Sequence, residues 1–226
     1  MTSRDPRILQ HWARTLKVSP GTFLAPNLIV YFDMDEEDRL IVYSAGDTRV
    51  LFVPPRFQAH GQPDRADALA EWLGVPLSLR WRDYVYYAQQ PQSAAAAPEI
   101  RALGPEDTAR LADLQARCSA RELELAQICM DDLSVTGWFA GEQLVGVASL
   151  LQTDADIYDI GVLTHPEFRG QGIGVKLTTC LRNAVTGRGD IAQYTTMDSN
   201  RGSVRVAEKC GFDLFVIEEG YAIGAG

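Results

Sequence analysis

Between His165 and Leu177 the chain reads HPEFRGQGIGVKL, with Gly170, Gly172 and Gly174 crowded between a proline and the first apolar repeat of a helix. A strand running into RGQGIG and then into a helix presents several backbone N–H groups at a helix amino terminus, where the dipole is positive. With no side chains in the way, an anion can reach the main chain, and a pyrophosphate is the natural guest. Two familiar phosphate motifs fail on spacing. The dinucleotide fingerprint GxGxxG needs glycine at 175, where Val175 stands, and the nucleotide P-loop needs GK[ST], whereas Lys176 lies between Val175 and Leu177. A nucleotide-dependent oxidoreductase or kinase is disfavoured accordingly. The alternative to an anion site is a helix cap that uses its glycines for a tight turn.

The flanking patterns supply the rest of the order. Gln89 to Glu99, QQPQSAAAAPE, is polar, small and aperiodic, and reads as a linker over 91–98 between a small α+β domain at 1–90 and a second domain at 99–226. In the first domain, Ile8, Leu9, Trp12 and Leu16 recur at helical spacing within Pro6 to Val18. NLIVYFDM, RLIVYSAG and TRVLFVPP are β-rich runs separated by DEED and GD turns, the DEED run around Asp35 reading as a hairpin tip, and Asp64 to Leu73 reads as a helix. The second domain opens with Pro105, Glu106 and Asp107, suited to a first helical turn, then a second helical stretch over Arg121 to Met130. SVTGWFAGEQLVGVASLLQ is a hairpin turning at Gly141-Glu142, and DIYDIGVLTHP is a strand stopped by Pro166. Ile173, Leu177, Leu181 and Val185 mark one face of a helix, DIAQYTTMD a strand, NRGSVRVAEKCGF a helix closed by Gly211, and DLFVIEEGYAI a last strand. The expected order is ααββ-β-α-β-α-β.

Arg169, Gly172 and Gly174 after a strand ending in THP, followed by Asn200, Ser203, Lys209, Gly211 and Phe212 in the pattern NxxSxxxxxKxGF, resemble the GNAT superfamily of acyl-CoA-dependent N-acyltransferases. The resemblance spans about Ile100 to Ile223 and leaves residues 1–90 unaddressed. It implies a mixed, mostly antiparallel sheet flanked by helices, and acetyl-CoA as the acyl donor. Val162, Leu163 and Thr164 would pair with the pantetheine arm, and Arg169, Gly170, Gln171, Gly172, Ile173 and Gly174 would wrap the pyrophosphate. The glycine-bearing strand and the next one, Ile191 to Met197, would splay apart. Asn200 would reach the arm, with Ser203 one turn on; Asn200 also suits an ordinary helix N-cap.

The catalytic groups are less well supplied. In such proteins a tyrosine seven residues after the asparagine often protonates the departing thiolate, and that position is Ala207. Tyr221, Ser203 or Tyr194 could act instead, the thiolate could leave unassisted, or the domain could bind acyl-CoA without transferring. The family's strand glutamate falls at Ile160 and Gly161, so Asp159, which shares a face with Gly161 and Leu163, is the candidate base, with a strand-end aspartate as the alternative. Glu122 and Glu124 are candidate substrate contacts, and Cys180 and Cys210 read as core. The leading expectation is an N-acetyltransferase acting on a primary amine in a ternary complex; a non-catalytic acyl-CoA sensor or scaffold is the alternative.

Charge bears on the partner. The net charge is −9, and residues 98–226 hold 11 Lys+Arg against 19 Asp+Glu, whereas residues 1–97 are nearly balanced. That disfavours nucleic acid, which needs clustered cations, and tilts the acceptor toward a cationic small molecule, although an acidic solvated surface explains it too. Four cysteines, none within ten residues of another, write neither a zinc ribbon nor a redox pair, so no metal is expected. With no apolar leader and no run of about 20 apolar residues, the expectation is a cytoplasmic chain without membrane contact; a homodimer stays open.

Overall fold

The computed structural model describes residues 5–33, 35, 37–63, 65, 68–93 and 97–224. The chain divides into two compact units, one of Met1–Val85, Met197–Asn200 and Leu214–Gly226, the other of Tyr86–Thr196 and Arg201–Asp213.

The first unit begins with α1 (Pro6–Leu16). Asp5 caps it by accepting the Arg7 N–H at 2.9 Å, and the helix buries Ile8, Leu9, Trp12 and Leu16. Strands β1 (Asn27–Tyr31), β2 (Arg39–Ala45) and β3 (Thr48–Phe52) follow. β2 and β3 form the expected antiparallel hairpin about Gly46, whose φ of 56° is left-handed. β1 does not pair with β2; it lies parallel to β3, Ile29 opposite Val50. The DEED run is therefore a crossover between non-adjacent strands, not a hairpin tip; Met34 and Glu36 lie outside the described residues. Of the helix expected from Asp64 to Leu73, α2 (Leu69–Leu73) is present among the described residues; Asp64, Ala66 and Asp67 lie outside them. β4 (Leu77–Ala88) was not foreseen. β10 (Asp213–Ile223) runs antiparallel to β2, Ile217 opposite Ser44. Val30, Leu40, Val42, Leu51, Phe57 and Leu73 are among the buried residues of the core beneath these strands.

The second unit carries β5 (Ile100–Ala102), α3 (Thr108–Ala116), α4 (Ala120–Ala126), β6 (Val135–Ala140), β7 (Gln143–Asp154), β8 (Ile157–Thr164), α5 (Ile173–Thr186), β9 (Ile191–Met197) and α6 (Arg201–Lys209). Strand order within it is β9-β8-β7-β6-β5, antiparallel except for the β8–β9 pair. Period-two alternation divides the faces. Val147 and Leu163 join Leu111, Leu114, Ala126 and Ile128 in a core under α3 and α4. Gly146 faces the other way, and a Cβ there would meet Ile173 and Leu177 of α5. α4 stops earlier than its composition suggests because Gln127 turns left-handed, φ 48°. Gln92, in the stretch read as a linker, trades two hydrogen bonds with Asn183 of α5, at 2.8 and 2.7 Å. Cys210 is buried as expected, but Cys180 is exposed, because it falls on the outer face of α5. Among the described residues no helix is long and apolar enough to cross a membrane, and no cluster of His, Cys, Asp and Glu could hold a metal ion.

Candidate functional site

β8 pairs with β7 along its whole length, Thr164 opposite Gly146 at one end and Ile157 opposite Asp154 at the other. On its other side it pairs with β9 only through Ile157↔Ile191, Tyr158↔Ala192 and Asp159↔Gln193. From Ile160 onward the two parallel strands part, although β8 runs on to Thr164 and β9 to Met197. This fork leaves the Val162–Thr164 edge without a ladder partner on the β9 side among the described residues. A strand edge of this kind accepts an extended guest by main-chain hydrogen bonding.

The glycine loop opens beside the same strand. His165 caps a short turn over Pro166–Phe168 by accepting the Glu167 N–H, and the chain then passes through Gly170 (φ 78°) and Gly172 (φ 81°) into α5. Both angles are left-handed, which explains glycine at 170 and 172. Gly174 is different: it lies in the first turn of α5, where a Cβ would make only ordinary contacts at 3.6–3.9 Å with Val206, Thr164 and Val162. Among the described residues the N–H groups of Gly170 to Val175 make no backbone hydrogen bond; the first that does is Lys176, to Gly172. The 14-residue α5 thus begins with a bare row of donors that nothing in the loop satisfies. The Arg169 side chain does not join that row. Its Nε donates to the Thr164 carbonyl at 3.1 Å, and its Nη1 pairs with Glu122 of α4 at 2.7 Å. Glu122, a candidate substrate contact, completes the capping box of α4. It accepts the Ser119 N–H at 2.8 Å, and Ser119 and Arg169 together hold its carboxyl below the usual range.

Asp159 stands where the fork begins. Its half-buried carboxylate accepts the Ile160 N–H at 3.2 Å and further hydrogen bonds from the Thr195 N–H and hydroxyl and the Gln193 side chain. Burial outweighs these donors and pushes its pKa up to about 6. Gly161, where the family's glutamate was sought, has no room for any side chain: a Cβ there would overlap the Ala126 carbonyl oxygen at the end of α4. Ala207 is likewise closed, with none of its surface exposed. One turn earlier, Ser203 shares a 2.8 Å hydrogen bond with the hydroxyl of Tyr194, a β9 residue almost wholly buried. Burial raises that phenol well above the ordinary tyrosine range, which makes it a poor acid.

The fork, the glycine loop, Asp159 and Ser203 thus belong to the second unit. Asn200 and Tyr221 belong to the first. Asn200 is exposed just ahead of α6, its N–H on the Met197 carbonyl at 3.1 Å. Tyr221 packs on that unit's core, and burial together with neighbouring Glu219 raises its phenol.

Residues 103–212 match the model of the Acetyltransferase (GNAT) family. Among solved structures, an acetyltransferase from the GNAT family of Colwellia psychrerythraea aligns at TM-score 0.56 and 15% identity, over 71% of this chain and 62% of its own. A GCN5-related N-acetyltransferase from Sphaerobacter thermophilus aligns at TM-score 0.51 and 17% identity, over 71% of this chain and 56% of its own. A GNAT-family protein of Novosphingobium aromaticivorans aligns at TM-score 0.51 and 19% identity, over 66% and 68%. At such identities these likenesses speak for the fold. No curated protein matches the sequence.

Proposed function

We propose that the GNAT acetyltransferase domain at residues 103–212 uses acetyl-CoA to acetylate the primary amine of a cationic small molecule in a ternary complex. The observation that carries this reading is the conjunction, within one unit, of the β8–β9 fork with the row of unsatisfied N–H groups from Gly170 to Val175. The row suits a diphosphate. The edge of Val162, Leu163 and Thr164, which among the described residues has no ladder partner on the β9 side and whose Thr164 carbonyl takes the Arg169 side chain, suits the amide-bearing pantetheine arm, which pairs as another strand would. Gly172 is required by its left-handed φ, and Arg169 braces the loop beside the phosphate site through Thr164 and Glu122.

In the reaction the neutral amine nitrogen attacks the thioester carbonyl carbon, and the carbon–sulfur bond breaks with its electron pair leaving on sulfur as thiolate. The proton that the nitrogen sheds on becoming an amide passes to solvent water, from which the thiolate takes up one. Backbone N–H groups at the fork polarise the carbonyl oxygen. With Ala207 buried and Tyr194 a poor acid, the thiolate leaves unassisted, which is tolerable for a thiol of pKa about 8.5. The excess of 19 acidic over 11 basic residues in 98–226 favours a cationic acceptor. A second reading, an acyl-CoA sensor without turnover, draws on the closed positions 161 and 207.

Titration calorimetry with acetyl-CoA, followed by thiol release in the presence of a panel of amines, tests both. Binding that Gly172→Glu abolishes, with sustained release above the no-amine blank, is expected. Absence of heat from wild type, or binding untouched by Gly172→Glu, refutes the site. Binding without release selects the sensor.

A further inference from the structure

The phase of the β8–β9 ladder is set by one bond, Ile191 N–H to the Asp156 carbonyl at 2.9 Å. In a parallel pair alternate residues face the partner strand, so the β9 donors directed at β8 are those of residues 191, 193 and 195. Past the last pair, Asp159↔Gln193, the next rung would join the Thr195 N–H to the Ile160 carbonyl. That rung is not made. The Thr195 N–H goes to the Asp159 carboxylate, which also takes the Thr195 hydroxyl, the Gln193 side chain and, at 3.2 Å, the Ile160 N–H.

We propose that Asp159 is a positioning residue whose carboxylate occupies the place of the missing rung and so holds β8 and β9 apart. An ionised carboxylate offers about four acceptor sites on two oxygens, enough for donors from both strands at once. An apolar side chain there would leave the Thr195 N–H seeking the Ile160 carbonyl, and the ladder would zip one step further into the fork. Ile160 is itself buried at 3% exposure, so its strand position is well determined by packing. The bonding pattern also argues against a general base: the oxygens are already engaged by donors on neighbouring backbone and side chains. This inference rests on the acyl-CoA reading only for its functional readout, since the wedge itself is a property of the free protein.

The test compares wild type, Asp159→Ala and Asp159→Asn by crystal structure, acetyl-CoA affinity and, with an accepting amine, separate kcat and KM. Asp159→Ala is expected to extend pairing through Ile160↔Tyr194 and to weaken acetyl-CoA about tenfold or more, with KM rising more than kcat falls. Asp159→Asn keeps an acceptor oxygen for Thr195 and should recover most of the affinity. The proposal is overturned if Asp159→Ala leaves the strands parted and acetyl-CoA affinity within about twofold of wild type. It is equally overturned if Asp159→Asn loses kcat about a hundredfold or more while affinity stays unchanged, the signature of a base. Should wild type fail to bind acetyl-CoA, the functional reading falls, and the crystal structure of Asp159→Ala still decides the wedge.

Discussion

Gly161→Ala is the substitution whose outcome the structure constrains most tightly. An added Cβ would overlap the Ala126 carbonyl oxygen and lie 3.3 Å from Ile128 Cγ1, where comfortable contact between heavy atoms needs about 3.5–4 Å. The obstacle is main chain, so no rotamer change relieves it. α4 is also held where it is: Gln127 ends it in a left-handed conformation, and Gln115 Nε2 donates to the Ile128 carbonyl at 3.1 Å. Overpacking of this kind costs about 1–3 kcal/mol. Taking about 2 kcal/mol, a chain of this length should lose about 4–8 °C in Tm. Gly174→Ala is the control. Its Cβ meets only ordinary contacts, and alanine is favoured over glycine in a helix by about 1 kcal/mol. Thermal unfolding followed by circular dichroism should therefore separate the two, Gly161→Ala falling and Gly174→Ala holding or rising. A Gly161→Ala Tm equal to wild type, or a larger drop at Gly174, would refute the placement of α4 against β8.

Two further outcomes follow from titratable groups. Asp107, with none of its surface exposed, takes Arg101 through both oxygens at 2.6 and 2.8 Å, Arg110 at 3.1 Å and the Gly104 N–H at 3.1 Å, and Arg101 above all holds its carboxyl far below the usual range. Its stabilisation is thus complete above the unfolded-state value and lost as pH falls into the acid range. Because Arg101 and Arg110 are about half exposed, Asp107→Ala should cost only about 1–2 kcal/mol in urea unfolding at pH 7 and progressively less on acidification; a pH-independent difference would count against the pairing. Burial pushes the Asp159 carboxyl up to about 6, and its protonated form, like asparagine, keeps one acceptor oxygen for Thr195, so acetyl-CoA affinity in wild type should fall no further in mild acid than it does in Asp159→Asn. A loss of wild-type affinity below that pH as large as the loss in Asp159→Ala, read by titration calorimetry, would refute the acceptor role.

Local signals carried the second unit well. Period-four apolar spacing gave α5, Gly211 (φ 63°) closes α6, and the Gly141 turn joins β6 to β7, each written within a few residues. The first unit was less legible because strand pairing is not a local property. Nothing in NLIVY says that it will lie parallel to TRVLF instead of pairing with the next strand, RLIVYSA. β4 was missed because LSLRWRDYVYYA mixes charged and aromatic residues without clean alternation. At the site, the glycines were readable and the partners were not. Arg169 finds Glu122, 47 residues earlier, and Asp159 finds Thr195, 36 residues later. A period-two count placed Asp159 on a face with Gly161 and Leu163, yet it could not reveal that the last rung of the ladder would be a side chain.

The two positions where such a domain was expected to hold its acid and base are closed for different physical reasons, and the difference bears on the chemistry. At 161 the obstacle is a carbonyl at the end of α4, so every residue larger than glycine is excluded whatever its function. At 207 the obstacle is a packed helix face, where a small residue is accommodated at zero exposure and a phenol would have to displace its neighbours. Neither closure touches the main-chain donors from Gly170 to Val175 or the β8 edge at Val162 to Thr164 that the ladder with β9 leaves unpaired. On the proposed reading, the domain has therefore kept the parts that bind and orient a thioester while dispensing with side-chain proton transfer at the usual places. An amine of pKa about 10 is then largely protonated at neutral pH, and its proton must go to water or to a carboxylate outside the fork. On that reading the acceptor's own basicity, more than any residue of β8 or α6, would set the rate of transfer.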